Sequence, residues 1–227
     1  MSSHRKARSG KHPFTRRALR TVLLAAGAAS AAGAAAAVPA QAVTGVTHAA
    51  VASDHVFSHA DRAHHTEARD SFTVRQFGTV DAVGVRNQAN AVSAGCSADD
   101  HCRSVALSFQ IVTVAGEHTH LDAANYSDAA DKGCTGCQTL AGAYQFVVST
   151  PTPFGLDADT RGRLDDIHRR LDALTRSTLP AAELKTQVDG LAGEVTAVLR
   201  DAVAHAPRTE AQPTVTLHRH LDGWPGH

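Results

Sequence analysis

The four cysteines of this 227-residue chain are its most reactive side chains, and they form two closely spaced pairs. Cys134 and Cys137 have the spacing of a zinc knuckle or a redox motif, whereas five residues separate Cys96 from Cys102. A thioredoxin-like motif stands at the start of a helix that follows a strand. Here a short helix is expected before the motif and a strand after it, which argues against redox activity. Disulfides, a metal site and free thiols remain as alternatives.

A second group of possible metal ligands follows Gly116, which is typical of a turn. The segment Glu117-His118-Thr-His120-Leu-Asp122 places several ligand types on one side of an extended backbone. A solvated loop is the simpler interpretation, so we expect no metal site, with His118, His120 and Asp122 as the weaker alternative. Elsewhere, histidines without a rigid scaffold bind Zn²⁺ or Cu²⁺ only loosely; they include His55, His59, His218 and His220.

Patterns of common catalytic sites are absent from the sequence. It has no Gly-x-Ser-x-Gly, His-Glu-x-x-His, P-loop or Gly-x-Gly-x-x-Gly pattern. We therefore expect no cofactor and no enzymatic activity.

Charge is distributed unevenly along the chain. Residues 1–42 hold seven of the 22 Lys and Arg residues and none of the 22 Asp and Glu residues, so the remainder carries 15 basic against 22 acidic residues. Nucleic-acid binding requires a clustered basic surface. This balance argues against nucleic acid as a partner.

The first 42 residues have the three parts of an export signal. Basic residues end at Arg20, an alanine-rich apolar run covers residues 21–38, and Ala40-Gln41-Ala42 supplies a small-x-small cleavage pattern. The alternative is an uncleaved anchor, but the run is weakly apolar for a stable membrane span. We expect a secreted product, in some cases held to the cell envelope by contacts, with no membrane span once the signal is removed.

Composition divides the remaining chain into four segments. They are a His-rich flexible linker (43–68), a Cys-containing domain (69–155), a helical segment (156–205) and a disordered tail (206–227). All four cysteines and most of the aromatic residues lie in the second segment, so we expect the core there.

Within the Cys-containing domain, residues 105–112 alternate between apolar and small or polar side chains, which predicts a strand with one strongly apolar face. Residues 140–148 follow the same pattern, and residues 72–74 and 80–85 suggest further strands. Residues 125–130 resemble a short helix with Asn125 as its N-cap.

A shift of 35 residues lays Cys102 over Cys137, with four identities in eleven positions over residues 102–112, and it also lays Asn90 over Asn125. We interpret this as duplication within one domain. An oxidising exterior favours disulfides. We expect the local pairs Cys96–Cys102 and Cys134–Cys137, because each copy then carries its own link, although the sequence leaves the other pairings open.

Residues 156–205 show the apolar spacing of two amphipathic helices with a break at residues 177–180. The stripes consist of Leu164, Ile167, Leu171 and Leu174, then Leu184, Val188, Leu191, Val195 and Val198. We expect an antiparallel αα-hairpin. Its stripes either cover the Cys-containing domain or bind a protein partner. The predicted fold is therefore α+β: a small, mainly antiparallel sheet domain with a duplicated Cys-strand unit, followed by the hairpin.

Three segments, Val85-Arg86-Asn87-Gln88-Ala89, residues 102–110 and residues 134–141, resemble a group of exported proteins of high-GC Gram-positive bacteria. That group carries repeated Cys-Cys/Ala-Phe-Gln segments. The resemblance covers roughly residues 80–155. It implies export from an actinobacterium-like cell and offers no catalytic residues to carry over.

These observations predict an exported, non-enzymatic structural or binding module of the cell envelope or exterior. The alternative is an extracellular protein that handles Zn²⁺ or Cu²⁺ through its histidines.

Overall fold

The computed structural model describes residues 47–206 and 211–224. The predicted export signal and residues 43–46 lie outside this range. The described elements, in chain order, are β1 (Thr47–Ala60), β2 (Thr66–Ala94), β3 (Arg103–Ala115), β4 (His120–Lys132), β5 (Gln138–Thr150), α1 (Ala158–Thr175), α2 (Ala181–Ala204) and β6 (Thr214–Gly223).

Strand β2 is long enough to belong to two sheets. Its first part pairs with β3 and its second part with β1 and β4, and a register shift between Gln76 and Thr79 marks the change. We define sheet A as β1, residues 80–94 of β2, and β4. Sheet B is residues 66–79 of β2 together with β3, β5 and β6. The chain alternates between two sheets packed face to face, as in a flattened β-solenoid.

The sheets are mostly parallel, so the predicted mainly antiparallel arrangement is wrong. Only the β5–β6 pair among the described strands is antiparallel. Parallel neighbours need a crossover connection of about a dozen residues or more. Here a strand of the opposite sheet supplies that crossover, since β4 connects β3 to β5. Short turns between the described strands therefore lead to the opposite sheet and do not form hairpins.

The 35-residue shift found in the sequence is the pairing register of β3 with β5, for example Gln110 with Gln145. The two segments are neighbouring strands of one sheet, and the structure does not support a duplicated folded unit. The equivalence of Asn90 with Asn125 is also wrong. Asn125 pairs with Asn87, 38 residues earlier, because β2 and β4 follow a different register.

Two segments of sheet A differ from their predicted structure. Residues 47–60 of the predicted linker form β1, in which Val56 and Ala60 are buried, and the expected boundary after residue 68 falls inside β2. Residues 125–130, predicted to be helical, belong to β4. Alanine and aspartate are depleted in strands. These strands therefore owe their conformation to pairing with β2 and not to local preference.

Polar side chains tie the two sheets together from inside. Asp54, Asn87 and Asn125 are neighbours across the three strands of sheet A. Asn87 Nδ2 donates to Asn125 Oδ1 at 2.9 Å. From sheet B, the Ser108 hydroxyl oxygen lies 2.6 Å from Asn87 Oδ1 and 2.8 Å from Asp54 Oδ2. Buried polar groups require such partners, so this row, called the inner polar row below, favours one register of the sheets.

Both helices cover the outer face of sheet B, as the predicted stripes allow. Arg163 pairs with Asp201 and Arg170 with Glu194, so the helices run antiparallel. The stripe residues, including Leu171, share one core with the aromatic side chains of sheet B. Of the two interpretations of the stripes, the structure favours the covering role, because buried stripe residues are not free to bind a partner.

A charged network joins α2 to the last two strands. The buried Tyr144 hydroxyl donates to Asp189 at 2.7 Å, and Arg219 donates to both carboxylate oxygens at 2.7 and 2.8 Å. Burial, followed by the hydrogen bond to Asp189, raises the pKa of Tyr144 far above its usual range. Desolvation opposes ionisation of Asp189, but hydrogen bonds from Arg219, Tyr144 and Lys185 lower its pKa overall. Every charged group here has a partner, which is the pattern of a structural network.

The last strand closes one end of the solenoid. β6 pairs with β5, and its side chains reach the backbone of β4: Asp222 accepts the Ala129 N–H at 2.9 Å, and His220 Nδ1 accepts the Ser127 N–H at 3.2 Å. The predicted disordered tail is therefore wrong for residues 214–223. Residues 207–210 and 225–227 lie outside the described range. Exposed strand edges require such protection.

Replacing Asp222 with alanine should show how much the contact between β6 and β4 contributes to the stability of the fold. The Ala129 N–H loses its carboxylate partner, so we expect a loss of about 1–3 kcal/mol in the free energy of unfolding. Urea denaturation measures the change. Asp99→Ala, an acid-to-alanine change at an exposed turn position, serves as the control. Equal effects of the two changes would contradict the role given to Asp222.

An ion pair between α1 and β2 should make stability depend on pH. His168 Nε2 lies 3.3 Å from Asp70 Oδ2, and this interaction raises the pKa of His168. The histidine favours its charged form when folded, so its contribution is complete below about pH 6.5, the unfolded value, and is lost as pH rises through the higher folded pKa. The stability difference between wild type and His168→Gln should therefore shrink from mildly acidic to alkaline pH in urea denaturation. A difference independent of pH would contradict this assignment.

Candidate functional site

Three turns that lead from sheet A to sheet B stack at one edge of the solenoid. We call them the cysteine corner: residues 60–65, 95–102 and 133–137. Backbone hydrogen bonds join consecutive turns, from the Thr135 N–H to the Cys96 carbonyl at 3.0 Å and from the Gln138 N–H to the Cys102 carbonyl at 2.9 Å. Gly95 and Gly133 begin two of the turns with φ of +68° and +57°, the left-handed conformation that glycine adopts without strain.

The cysteines lie in two pairs at disulfide distance, Cys96 with Cys102 and Cys134 with Cys137. The Cα atoms are 6.3 and 5.9 Å apart, within the range for disulfides. These are the local pairs that the sequence analysis favoured. The two disulfides also contact each other, because the sulfur atoms of Cys96, Cys102 and Cys137 all lie within 4.8 Å of one another. The sequence did not predict this convergence.

Carboxylates at the corner hold the turns in shape. Asp61 accepts the backbone N–H groups of His64 and Ala63, both at 2.8 Å, and these bonds lower its pKa. Asp100 accepts the Ser97 N–H at 2.6 Å, and its pKa is lowered for the same reason. The two acids therefore act as turn caps and remain ionised.

The predicted alternative metal ligands lie at the opposite edge of the solenoid. His118 belongs to the turn between β3 and β4, His120 and Asp122 begin β4, and all three are exposed. Within residues 47–206 and 211–224, the set of three Cys, His, Asp or Glu residues with donor atoms within 4.8 Å of one another is Cys96, Cys102 and Cys137. The structure thus concentrates soft ligands at the cysteine corner and not at this turn.

The outer face of sheet A, unlike that of sheet B, is not covered by a described helix, although the Tyr126 ring at its edge stacks on His220 of β6 with centroids 5.9 Å apart. We call it the bare face. Val51 is 75% exposed, Phe57 46% and Tyr126 51%. His55, Gln88 and Tyr126 form one row across the three strands, and His55 Nε2 lies 3.1 Å from Asn90 Oδ1. Aromatic rings and planar polar groups on a flat surface suit binding, since exposed apolar side chains mark contact sites.

Sequence reasoning missed the bare face because one of its three strands, β1, lies in the predicted linker. A signal was present nonetheless. Residues 52, 54, 56, 58 and 60 of β1 point inward and are Ala, Asp, Val, Ser and Ala, and the inward residues of β2 and β4 are also mostly of these small or medium-sized types. Their spacing of 33 and 38 residues differs from the 35-residue shift, so a single repeat length did not reveal them.

None of the helices in the described residues is long and apolar enough to span a membrane. No protein-family model, curated protein or solved structure matches this chain.

Proposed function

We propose that the chain is an exported, non-enzymatic module that serves a structural or binding role in the cell envelope or exterior. The unequal covering of the two sheets supports this proposal most directly. Helices α1 and α2 bury the outer face of sheet B, whereas the outer face of sheet A carries Val51, Phe57 and Tyr126 exposed to solvent.

Two further features agree with an exported binding module. Cysteine pairs at disulfide distance are typical of an oxidising exterior. The bare face combines exposed apolar and aromatic side chains with planar polar ones, as contact surfaces with moderate apolar content do. Paired strands hold these side chains in fixed positions, so little ordering entropy is lost on binding.

Sedimentation with isolated cell envelopes tests the proposal. The purified mature protein should pellet with envelopes of the producing cell, and the double variant Phe57→Ser/Tyr126→Ser should remain in the supernatant. Val74→Ser removes another exposed apolar side chain, outside the bare face, and should behave like wild type. Loss of pelleting in the control, or its retention in the double variant, would contradict a role for the bare face.

Handling of Zn²⁺ or Cu²⁺ by histidines is the second candidate, and one observation favours it. His59 and His64 approach the same carboxylate, with ring nitrogens 3.8 and 3.6 Å from Asp61 oxygens. Titration of the disulfide-bonded protein with Cu²⁺ tests this function. Stoichiometric binding that His59→Ala abolishes would support it, and binding that survives this change would exclude the site.

A further inference from the structure

We propose that the cysteine corner, once its two disulfides are reduced, binds a single Zn²⁺ ion through the thiolates of Cys96, Cys102, Cys134 and Cys137. This inference goes beyond the proposed function, because it involves neither the bare face nor a partner. The disulfide-bonded and metal-bound forms would be two states of the same site.

The distances between sulfur atoms fit a four-thiolate centre. A tetrahedral site with Zn–S bonds of about 2.3 Å places its sulfurs about 3.8 Å apart. The sulfurs of Cys96, Cys102 and Cys137 already lie within 4.8 Å of one another. Cys134 joins the same cluster through its pairing with Cys137. The four sulfurs therefore lie close to one another before any metal binds, three of them at spacings near those of a tetrahedral site.

Backbone pairing holds the turns around the sulfurs in addition to the disulfides. Parallel pairing of β2 with β4 and of β3 with β5 fixes the two turns that carry the cysteines, and backbone hydrogen bonds join those turns directly. Each turn contributes two ligands, as in structural zinc sites built from two cysteine pairs. Cys96 and Cys102 are buried, whereas Thr135 and Gly136 are exposed, which leaves an entrance for the ion.

Reduction and metal binding balance as separate steps. Each disulfide accepts two electrons from a phosphine reductant and two protons from water, whose oxygen is taken up in the phosphine oxide, so two disulfides yield four thiols. Zn²⁺ then binds as the thiols ionise, and up to four protons are released. Affinity should consequently fall as pH falls, because protons compete for the same sulfurs.

The test uses the purified mature chain, reduced anaerobically with a phosphine and then freed of it. Titration with Zn²⁺ against a chromophoric chelator should give one ion per chain, and Co²⁺ should give the intense sulfur-to-metal absorption of a tetrathiolate site. Cys102→Ser and Cys137→Ser should each weaken Zn²⁺ binding by more than the roughly 10–100-fold that loss of an outer-shell partner costs. Zn²⁺ should also raise the midpoint of thermal unfolding of the reduced chain.

The double variant His118→Ala/His120→Ala is the matched control and should bind like wild type. Circular dichroism of the reduced, metal-free chain reports whether the sheets persist. Substoichiometric binding, affinity unchanged by both cysteine variants, loss of binding in the histidine control, or a reduced chain that Zn²⁺ does not stabilise would each overturn the proposal. None of these results bears on envelope binding, which is measured with the oxidised protein.

Discussion

Leu171→Asp is expected to unfold the protein or come close to it. Leu171 is fully buried in α1, in the core that the two helices share with sheet B. Truncating a buried leucine to alanine costs about 2–5 kcal/mol. Aspartate adds an unpaired buried charge to that loss, so the free energy of unfolding should fall by more than this range. Urea denaturation followed by circular dichroism measures it.

Ala173→Asp is the matched control for this prediction. It introduces the same side chain two residues later on the same helix, at an exposed position. Lost helix propensity and the negative end of the helix dipole should make this change cost about 1 kcal/mol, well below the cost expected for Leu171→Asp. If the two variants were equally stable, Leu171 would not contribute to the core between the helices and sheet B.

Asn87→Asp should produce the second largest effect, through the inner polar row. The substitution is nearly isosteric, yet it replaces the Nδ2 donor to Asn125 with an oxygen and places a carboxylate beside Asp54. An uncompensated buried charge costs about 3–5 kcal/mol. We expect a loss of this order in the free energy of unfolding at neutral pH, measured by urea denaturation.

The pH dependence of Asn87→Asp distinguishes buried charge from altered shape. Burial and the neighbouring carboxylate would hold the pKa of the new acid above its unfolded value of about 3.9. The folded state then binds the proton more tightly, so the deficit should shrink as pH falls through the raised pKa. Asn90→Asp, on the same strand but on the bare face beside His55, should cost little at any pH. A deficit for Asn87→Asp that did not change with pH would contradict the buried-charge explanation.

Local periodicity was sufficient to predict the helices and several strands. The spacing of Leu164, Ile167 and Leu171 predicted a stripe, and these residues are buried on one face of α1. The alternation in residues 105–112 predicted a strand, and both of its faces are buried, one against the helices and the other between the sheets. Such patterns are visible because neighbours in the sequence determine them.

The direction of strand pairing, and the strand conformation of β1 and β6, depend on contacts between residues far apart in the sequence. Local periodicity could not predict them. β1 and β6 contain few large apolar residues, and each is a strand because an edge of another strand lies beside it. Neighbouring strands are 35 residues apart for β3 and β5 in sheet B, and 38 residues apart for β2 and β4 in sheet A. These two offsets fit one solenoid only once it is known that the chain alternates between the sheets.

The candidate site was predicted in part. The supposed duplication favoured the local cysteine pairs, one in each copy, and the structure places those pairs at disulfide distance although it does not support a duplicated unit. The two pairs meet because their turns stack on each other. The spacing of cysteines within one turn gives no information about this contact. His118 lies in an exposed turn, as the loop interpretation predicted, whereas His120 is exposed but begins β4.

Closure of the solenoid by β6 also sets the order in which this chain can finish folding. β6 follows every other described element in the sequence, and it supplies the partners of β5 and of the β4 backbone. A chain that emerges from its N-terminus therefore exposes two strand edges until residues 214–223 arrive. Unpaired edges are sites of aggregation during folding. Loss or late arrival of this last segment should consequently lower the yield of native protein.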